Sequence, residues 1–181
     1  YVANYCDRKN QKAALKGFLD SNIDNNIGLV LIGSKKNKYL EELKIYEKKL
    51  REKKHLSSQK PVLLLDAVDR RLISSYVSNA DLYLMPSKDE KYPISIVESM
   101  AANVPYISTD VGIVKYLQGG IITSYDDIPF WIEELYRDEN LRKNLGKTGH
   151  DYAKEHMKID AKVNQLEKII KNLRSEYNEK I

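Results

Sequence analysis

The chain has 181 residues, enough for one domain or two small ones and for a buried core, which excludes a long multidomain architecture. Its 42% hydrophobic and 31% charged residues are those of a globular protein, and 30 Lys plus Arg against 26 Asp plus Glu leave a charge of only +4, too little for a nucleic-acid-binding surface. A single cysteine, Cys6, rules out an internal disulfide, three scattered histidines give no metal-ligand spacing, and no apolar run approaches the ~20 residues of a membrane span. The start of the chain lacks the layout of a signal peptide, so a cytoplasmic location is expected. Tyr1 stands inside a strand-like pattern with no initiator Met before it, as expected of a piece of a longer polypeptide.

Residues 1–4 read as a first strand. The run IGLVLIG at 27–33 is short, apolar, rich in branched side chains and closed by Gly33, the pattern of a strand buried on both faces. PVLLLDA from Pro61, DLYLMPS from Asp81, VPYISTD from Val104 and GGIIT from Gly119 repeat it. Helical spacing lies between them, at 11–19, 39–53, 71–78, 95–102 and 111–117. The alternation predicts an α/β fold, a Rossmann-like doubly wound parallel sheet covered on both faces. After Ile128 the strand patterns stop, and extra C-terminal helices lead to a long one over 159–178. There Val163, Leu166, Ile170 and Leu173 recur at three- and four-residue spacing, which predicts one buried stripe. No linker, repeat or low-complexity tract interrupts the chain, so residues 1–181 are expected to form one domain.

In open α/β sheets ligands bind beyond the carboxyl ends of the strands, where the unpaired N–H groups of helix N-termini converge. Here those ends deliver the loops YCDRKNQ, GSKKN, DAVDR, PSKDEKYPIS and TDVGI. The fourth loop carries Pro86, Ser87, Glu90, Tyr92, Pro93, Ile94, Ser95 and Glu98 into an apolar helix. Ser95 and Glu98 also match the S-x-x-E capping box, so Glu98 has two readings, a helix cap or a ligand contact. Arg8 and Lys9 follow the first strand, with Lys16 a turn or two further on. A ligand with phosphates would use them, although adjacent basic residues on a loop are otherwise merely solvated. The GKT at 146–148 lacks the P-loop's first glycine, Leu141 standing in its place, and reads as a helix terminus. No G-x-G-x-x-G is present. His150 and His156 do not share a helix face and read as surface residues.

These residues resemble the C-terminal, donor-binding domain of GT-B glycosyltransferases, specifically glycosyltransferase family 4. The similarity covers nearly the whole chain. YVANYCDRKNQKAALKGF is similar to the family's opening V-G-R-L…K-G/N segment, LVLIGS to its second strand, and ISSYVSNADLYLMPS to the segment ending in P-S. EKYPISIVESMAANVPYISTDVG is similar to the signature E-x-F-G/P-x-x-x-x-E-A-M-A-x-G-x-P-V-I-x-T-x-x-G. LRKNLGKTGHDYAKEHM resembles the closing helical segment, ahead of a C-terminal helix that returns to the other domain.

The resemblance implies transfer of a sugar from a nucleotide sugar to a glycan, lipid-linked or protein acceptor in bacterial glycan or polysaccharide synthesis, with retention of anomeric configuration and without a metal or other cofactor. It implies that Glu90 bonds hydroxyls of the donor sugar, Glu98 the ribose hydroxyls and Lys9 the diphosphate, with the N–H groups of Ile94 and Ser95 toward the phosphates. Lys9 and Glu90 are the catalytic candidates, and Asn4, Arg8 and Pro93 complete the donor-binding set. Three positions depart from the pattern. Asn4 stands where the family has an Arg that clamps the diphosphate, a loss of a charged hydrogen bond worth about 1.5–3 kcal/mol unless Arg8 replaces it. Pro93 has no N–H to give. Asn103 replaces a glycine and tolerates the left-handed conformation of a helix C-terminal cap.

An N-terminal acceptor domain is expected outside these residues, with any peripheral attachment to the inner face of the membrane made through it. The isolated chain is expected to bind nucleotide weakly and not to turn over. Two rivals differ in class. One is a scaffold domain whose donor pocket has decayed, motivated by Asn4. The other is a phospho-receiver signalling domain, motivated by Asp66 at the end of the third strand, but the fifth strand ends in Ser108, Thr109 and Asp110 rather than the Lys it would want.

Overall fold

The computed structural model describes residues 1–56 and 60–178. Strands β1 (Leu29–Gly33) and β2 (Val62–Asp66) pair in parallel, with Leu31 opposite Leu64. Strands β3 (Tyr83–Met85), β4 (Tyr106–Ser108) and β5 (Gly120–Ile122) form a second parallel ladder in that order, with Ile107 between Leu84 and Ile121. The opening segment lies on the free edge of β1 through a parallel bridge from Val2 to Ile32. The helices alternate with the strands as α1 (Gln11–Asp20), α2 (Lys38–Lys54), α3 (Arg70–Ser78) and α4 (Ile94–Ala101), followed by α5 (Ile128–Arg137), α6 (Glu139–His156) and α7 (Ile159–Asn178). Helix α1 packs against α2 and α5, and α4 against α3 and α6. The parallel α/β reading therefore holds, and the first predicted strand is reduced to the Val2 bridge.

The seam between the opening segment and β3 differs from a continuous sheet. The Val2 N–H donates to the Tyr83 hydroxyl, and that hydroxyl donates to the Val2 carbonyl, both at 3.1 Å. One phenol thus satisfies two backbone groups that a neighbouring strand would otherwise pair. The rings of Tyr1 and Tyr83 meet edge to face beside it, 6.2 Å between centroids.

Leu15, Leu31, Leu40, Leu43, Met100, Ile107 and Leu135 are among the wholly buried core residues. β3 and β4 are buried at every position, as their uninterrupted apolar runs predict. β2 is not. Its residues are half-buried or exposed, and Leu63 is 52% exposed. The helix predicted at 111–117 contracts to a single 3-10 turn, Val114–Tyr116, because Gly112 just before it takes a left-handed φ of +55°. Helix α4 closes as predicted with Asn103 left-handed at φ +63°. The Asn103 N–H reaches Met100 O at 3.0 Å and the Val104 N–H reaches Ser99 O at 2.9 Å, the two bonds of a Schellman turn.

The GKT segment sits inside α6 rather than at its end. A Cβ on Gly146 would overlap the Asn103 carbonyl oxygen, so the missing side chain lets α6 close on the turn after α4. His150 is half-buried rather than a free surface residue, with its Nδ1 2.9 Å from the Ala101 carbonyl at the end of α4, whereas His156 is exposed. The stripe on α7 is also corrected: Val163, Leu166, Ile170 and Leu173 are about half exposed, and no described residue buries them. Helical periodicity identifies an apolar face but not what covers it. Among the described residues no helix is long and apolar enough to cross a membrane.

A cavity of about 630 Å³ runs between the opening segment, β1 and β3, lined by Val2, Ile32, Leu82 and Leu84 and by Leu72 and Tyr76 of α3. Its lining is mostly apolar and includes none of the loop residues singled out above.

Two substitutions separate covered from uncovered apolar positions. Ile107→Ala is expected to cost about 2–5 kcal/mol of unfolding free energy through the cavity it leaves. Leu166→Glu is expected to change it by less than about 0.5 kcal/mol. Chemical denaturation of the two variants measures both, and equal losses would show that α7 is buried after all.

Candidate functional site

The site is assembled by the loops that leave the opening segment, β3 and β4. In the first loop Tyr5 is buried with its hydroxyl 2.8 Å from the carbonyl oxygens of both Leu31 and Leu65, which pins the chain against the first ladder. A 3-10 turn over Asp7–Lys9 follows, and Asn10 at φ +50° reverses the chain into α1. Asn37 ties the start of α2 to the same place. Its Nδ2 donates to Tyr5 O at 2.8 Å and its Oδ1 accepts from the Leu40 N–H at 3.0 Å as the helix cap.

The loop after β3 runs alongside. The Lys88 N–H donates to Arg8 O at 2.8 Å, Lys88 Nζ pairs with Asp7 at 2.7 Å, and Arg8 Nη1 donates to Asp89 O at 3.1 Å. Within this cross-linked pair of loops the Lys9 ammonium donates directly to Glu90 Oε1, and Arg8 Nη1 lies 3.5 Å from Glu90 Oε2. The Glu90 side chain is 7% exposed and that of Lys9 18%, so the carboxylate is desolvated and needs the partners it has. Arg8 is half exposed, and its contact adds little by itself.

Ser87 stands behind Glu90 and is wholly buried. Its Oγ donates to Glu90 Oε1 at 2.9 Å, and its carbonyl accepts from Thr109 Oγ1 at 2.6 Å and from the Tyr125 hydroxyl at 3.5 Å. The loop after β4 closes the assembly from the side. The Ile113 N–H donates to Lys91 O at 3.2 Å, and a Cβ on Gly112 would overlap the Glu90 and Lys91 carbonyl oxygens. No side chain fits there.

Helix α4 begins next to this group. Pro93 at φ −76° is its N-cap and offers no side-chain bond, so the helix starts at Ile94. Ser95 is therefore already inside the helix, and the predicted capping box with Glu98 does not form. The proline's fixed φ starts the helix earlier than the serine would have. The first N–H groups of the helix, those of Ile94 and Ser95, have no carbonyl one turn back to bond. Glu98 is exposed and has no capping task. It lies close enough to Tyr83 for its charge to act on that phenol. Tyr83 is pushed up to about 12, chiefly by burial, with hydrogen bonds from Ser95 and Val2 opposing and the charges of Glu98 and Glu90 adding. The Tyr1 phenol is raised still further by burial. Both phenols stay neutral donors throughout the physiological range.

Arg8, Lys9 and Glu90 thus come together in direct contact, with Pro93, Ile94 and Ser95 following on the same loop. Glu98 lies one turn along α4 without touching Glu90. Asn4 is exposed and contributes its backbone carbonyl, which accepts from Gln11 Nε2 at 2.9 Å. Sequence reasoning gave no role to Ser87, Tyr1, Thr109 or Gly112. The one available signal was a hydroxyl residue directly after an apolar strand, in LYLMPS and YIST.

The chain matches Glycosyl transferases group 1 over residues 1–152. It belongs to that family. The phospho-receiver alternative falls with this match. Over 136 residues the chain is 28% identical to N-acetyl-alpha-D-glucosaminyl L-malate synthase of Bacillus anthracis, covering 71% of this chain and 35% of that protein. The chain therefore spans about a third of that relative's length. Among solved structures, the C-terminal domain of a glycosyl transferase group 1 family protein from Francisella tularensis superimposes with a TM-score of 0.74 at 19% identity, covering 87% of this chain and 85% of that one. HepE of Anabaena, solved in complex with UDP, gives a TM-score of 0.79 at 16% identity over 94% of this chain and 48% of its own. At these identities the likeness establishes the fold, that of the group 1 glycosyltransferase domain.

The crowding at Gly112 has a measurable consequence. Gly112→Ala adds a methyl group against two carbonyls and forces a left-handed alanine, and is expected to destabilise the chain by about 1–3 kcal/mol. Urea denaturation measures this, and a loss below about 0.5 kcal/mol would mean that the loops are not pressed together as described.

Proposed function

We propose that this chain is the donor-binding half of a family 4 glycosyltransferase, which moves a sugar from a nucleoside diphosphate sugar to a glycan, lipid-linked or protein acceptor with retention of configuration. The observation that carries this reading is the contact of Lys9 and Arg8 with the buried Glu90 beside the open N-terminus of α4, at the carboxyl ends of the strands. A nucleoside diphosphate sugar carries anionic phosphates and a neutral polyol joined at one bond. The group offers a cationic side for the first and a carboxylate for the second. HepE, which shares the fold and was captured with UDP, supports the same ligand class.

Cleavage of the sugar–phosphate bond leaves negative charge on the departing diphosphate. Lys9, Arg8 and the N–H groups of Ile94 and Ser95 would stabilise that charge, and fixed donors of this kind are commonly the largest catalytic contribution. This supply of positive charge is what supports a transfer without a metal ion. Glu90 would accept hydrogen bonds from sugar hydroxyls, and Glu98, relieved of any capping task, from the ribose. Arg8 takes the part left open by Asn4, its guanidinium already lying against Glu90. The acceptor would be held by an N-terminal domain in the longer protein, and closure of the two halves would exclude water.

The scaffold alternative rests on Asn4 alone and is separated by titration with nucleoside diphosphates. Saturable binding is expected, and Arg8→Ala should weaken it by about 10- to 150-fold, the equivalent of one charged hydrogen bond of about 1.5–3 kcal/mol. Calorimetric titration giving no saturable binding to any nucleotide would establish the scaffold reading. Unchanged affinity on Arg8→Ala would remove Arg8 from the donor site. Sugar transfer by the 181-residue chain alone would refute its being half of the machinery.

A further inference from the structure

A wholly buried serine hydroxyl is costly to place unless its bonds do something, and Ser87 touches Glu90 directly and reaches the turn that carries Lys9 through Tyr1. It donates to Glu90 Oε1 at 2.9 Å. On its other side Ser87 Oγ lies 2.8 Å from the Tyr1 hydroxyl, which is 2.9 Å from the backbone carbonyl of Lys9. Its own carbonyl is held by Thr109 and Tyr125, so the serine cannot drift. A carboxylate only accepts, so the single Ser87 proton belongs to Glu90, and the Ser87 oxygen is left to accept from Tyr1. Tyr1 has one proton for two acceptors, Ser87 Oγ and Lys9 O, and ties the serine to the turn that carries the lysine.

The two oxygens of Glu90 are consequently not equivalent. Oε1 is fixed by Ser87 and Lys9. Among the described residues the partner of Oε2 is the half-exposed Arg8, at 3.5 Å, so Oε2 is the less tightly held of the two. We propose that Ser87, backed by Tyr1, is a positioning residue that anchors Glu90 Oε1 and so presents Oε2 to the sugar of the donor. This rests on the donor-binding reading above. It adds that recognition of the sugar, as distinct from the nucleotide, depends on a serine that touches neither.

The test compares two affinities of the same chain. Calorimetric titration with UDP, GDP and ADP and with UDP-, GDP- and ADP-glucose identifies the pair that the unaltered chain binds and the factor by which glucose improves or alters the affinity. Ser87→Ala is expected to leave the nucleoside diphosphate affinity within about twofold and to weaken the glucose conjugate by about three- to tenfold, the loss of one hydrogen bond's worth of placement. Tyr1→Phe should shift the ratio in the same direction by a smaller factor. In a Glu90→Ala background, Ser87→Ala should change the ratio no further, because the carboxyl group that Ser87 anchors is gone.

An unchanged ratio in folded Ser87→Ala overturns the inference. So does an equal loss of both affinities, which is what a merely structural serine would give. If Ser87→Ala does not fold, Tyr1→Phe decides by the same ratio, since it removes one oxygen and leaves the ring packing. If the unaltered chain binds none of the six compounds, the donor-binding reading itself fails and takes this inference with it, a result distinct from binding without the change in ratio.

Discussion

The ion pair between Lys9 and Glu90 fastens two loops together at the carboxyl ends of the strands. It lies at the carboxyl end of the seam where the two ladders meet, and that seam has little backbone pairing: Tyr83 serves both Val2 groups, and one N–H from Lys88 reaches Arg8. The loops there are held largely by side chains, through Lys9–Glu90, Asp7–Lys88, Arg8 on Asp89, and Tyr1 on Ser87. On the donor-binding reading, chemistry and mechanical closure would share the same residues. A buried ion pair contributes little net stability because desolvation offsets most of the attraction, but removing one partner strands the other. The arrangement is therefore less a source of stability than a constraint on where the charges sit.

That constraint explains why the site was only partly legible in the sequence. Apolar runs marked β1, β3 and β4 because strands buried on both faces have few ways to be written, and Arg8, Lys9, Glu90 and the PISIVE segment were marked because they stand at strand ends. What lay across the seam was not legible. Ser87 and Tyr1 are 86 residues apart, and no local pattern announces that one hydroxyl will meet the other. The capping box failed for a local reason instead, since Pro93 starts the helix before Ser95 can cap it. Gly112 was hidden because its task is to leave room for the carbonyls of another loop.

The stripe on α7 shows a further limit. Its spacing was read correctly as helical, and the helix is there, but Leu166 and Leu173 are more than half exposed. Periodicity reports which side of a helix is apolar. Burial is a property of two surfaces, and a single segment carries information about only one of them. The same holds for β2, whose Leu63 lies in an apolar run and is nevertheless 52% exposed.

The internal pairing of Lys9 with Glu90 also bears on how a two-part donor would be recognised. The Lys9 ammonium has three N–H donors, so on the donor-binding reading one of them could reach a diphosphate while another stays on Glu90 Oε1. Oε1 would then keep both Lys9 and Ser87, and the buried carboxylate would not be left short of a partner when the nucleotide arrives. A sugar hydroxyl would meet the other oxygen, so the phosphate and sugar contributions would fall on different atoms of one pair, with the ion pair fixing the distance between them.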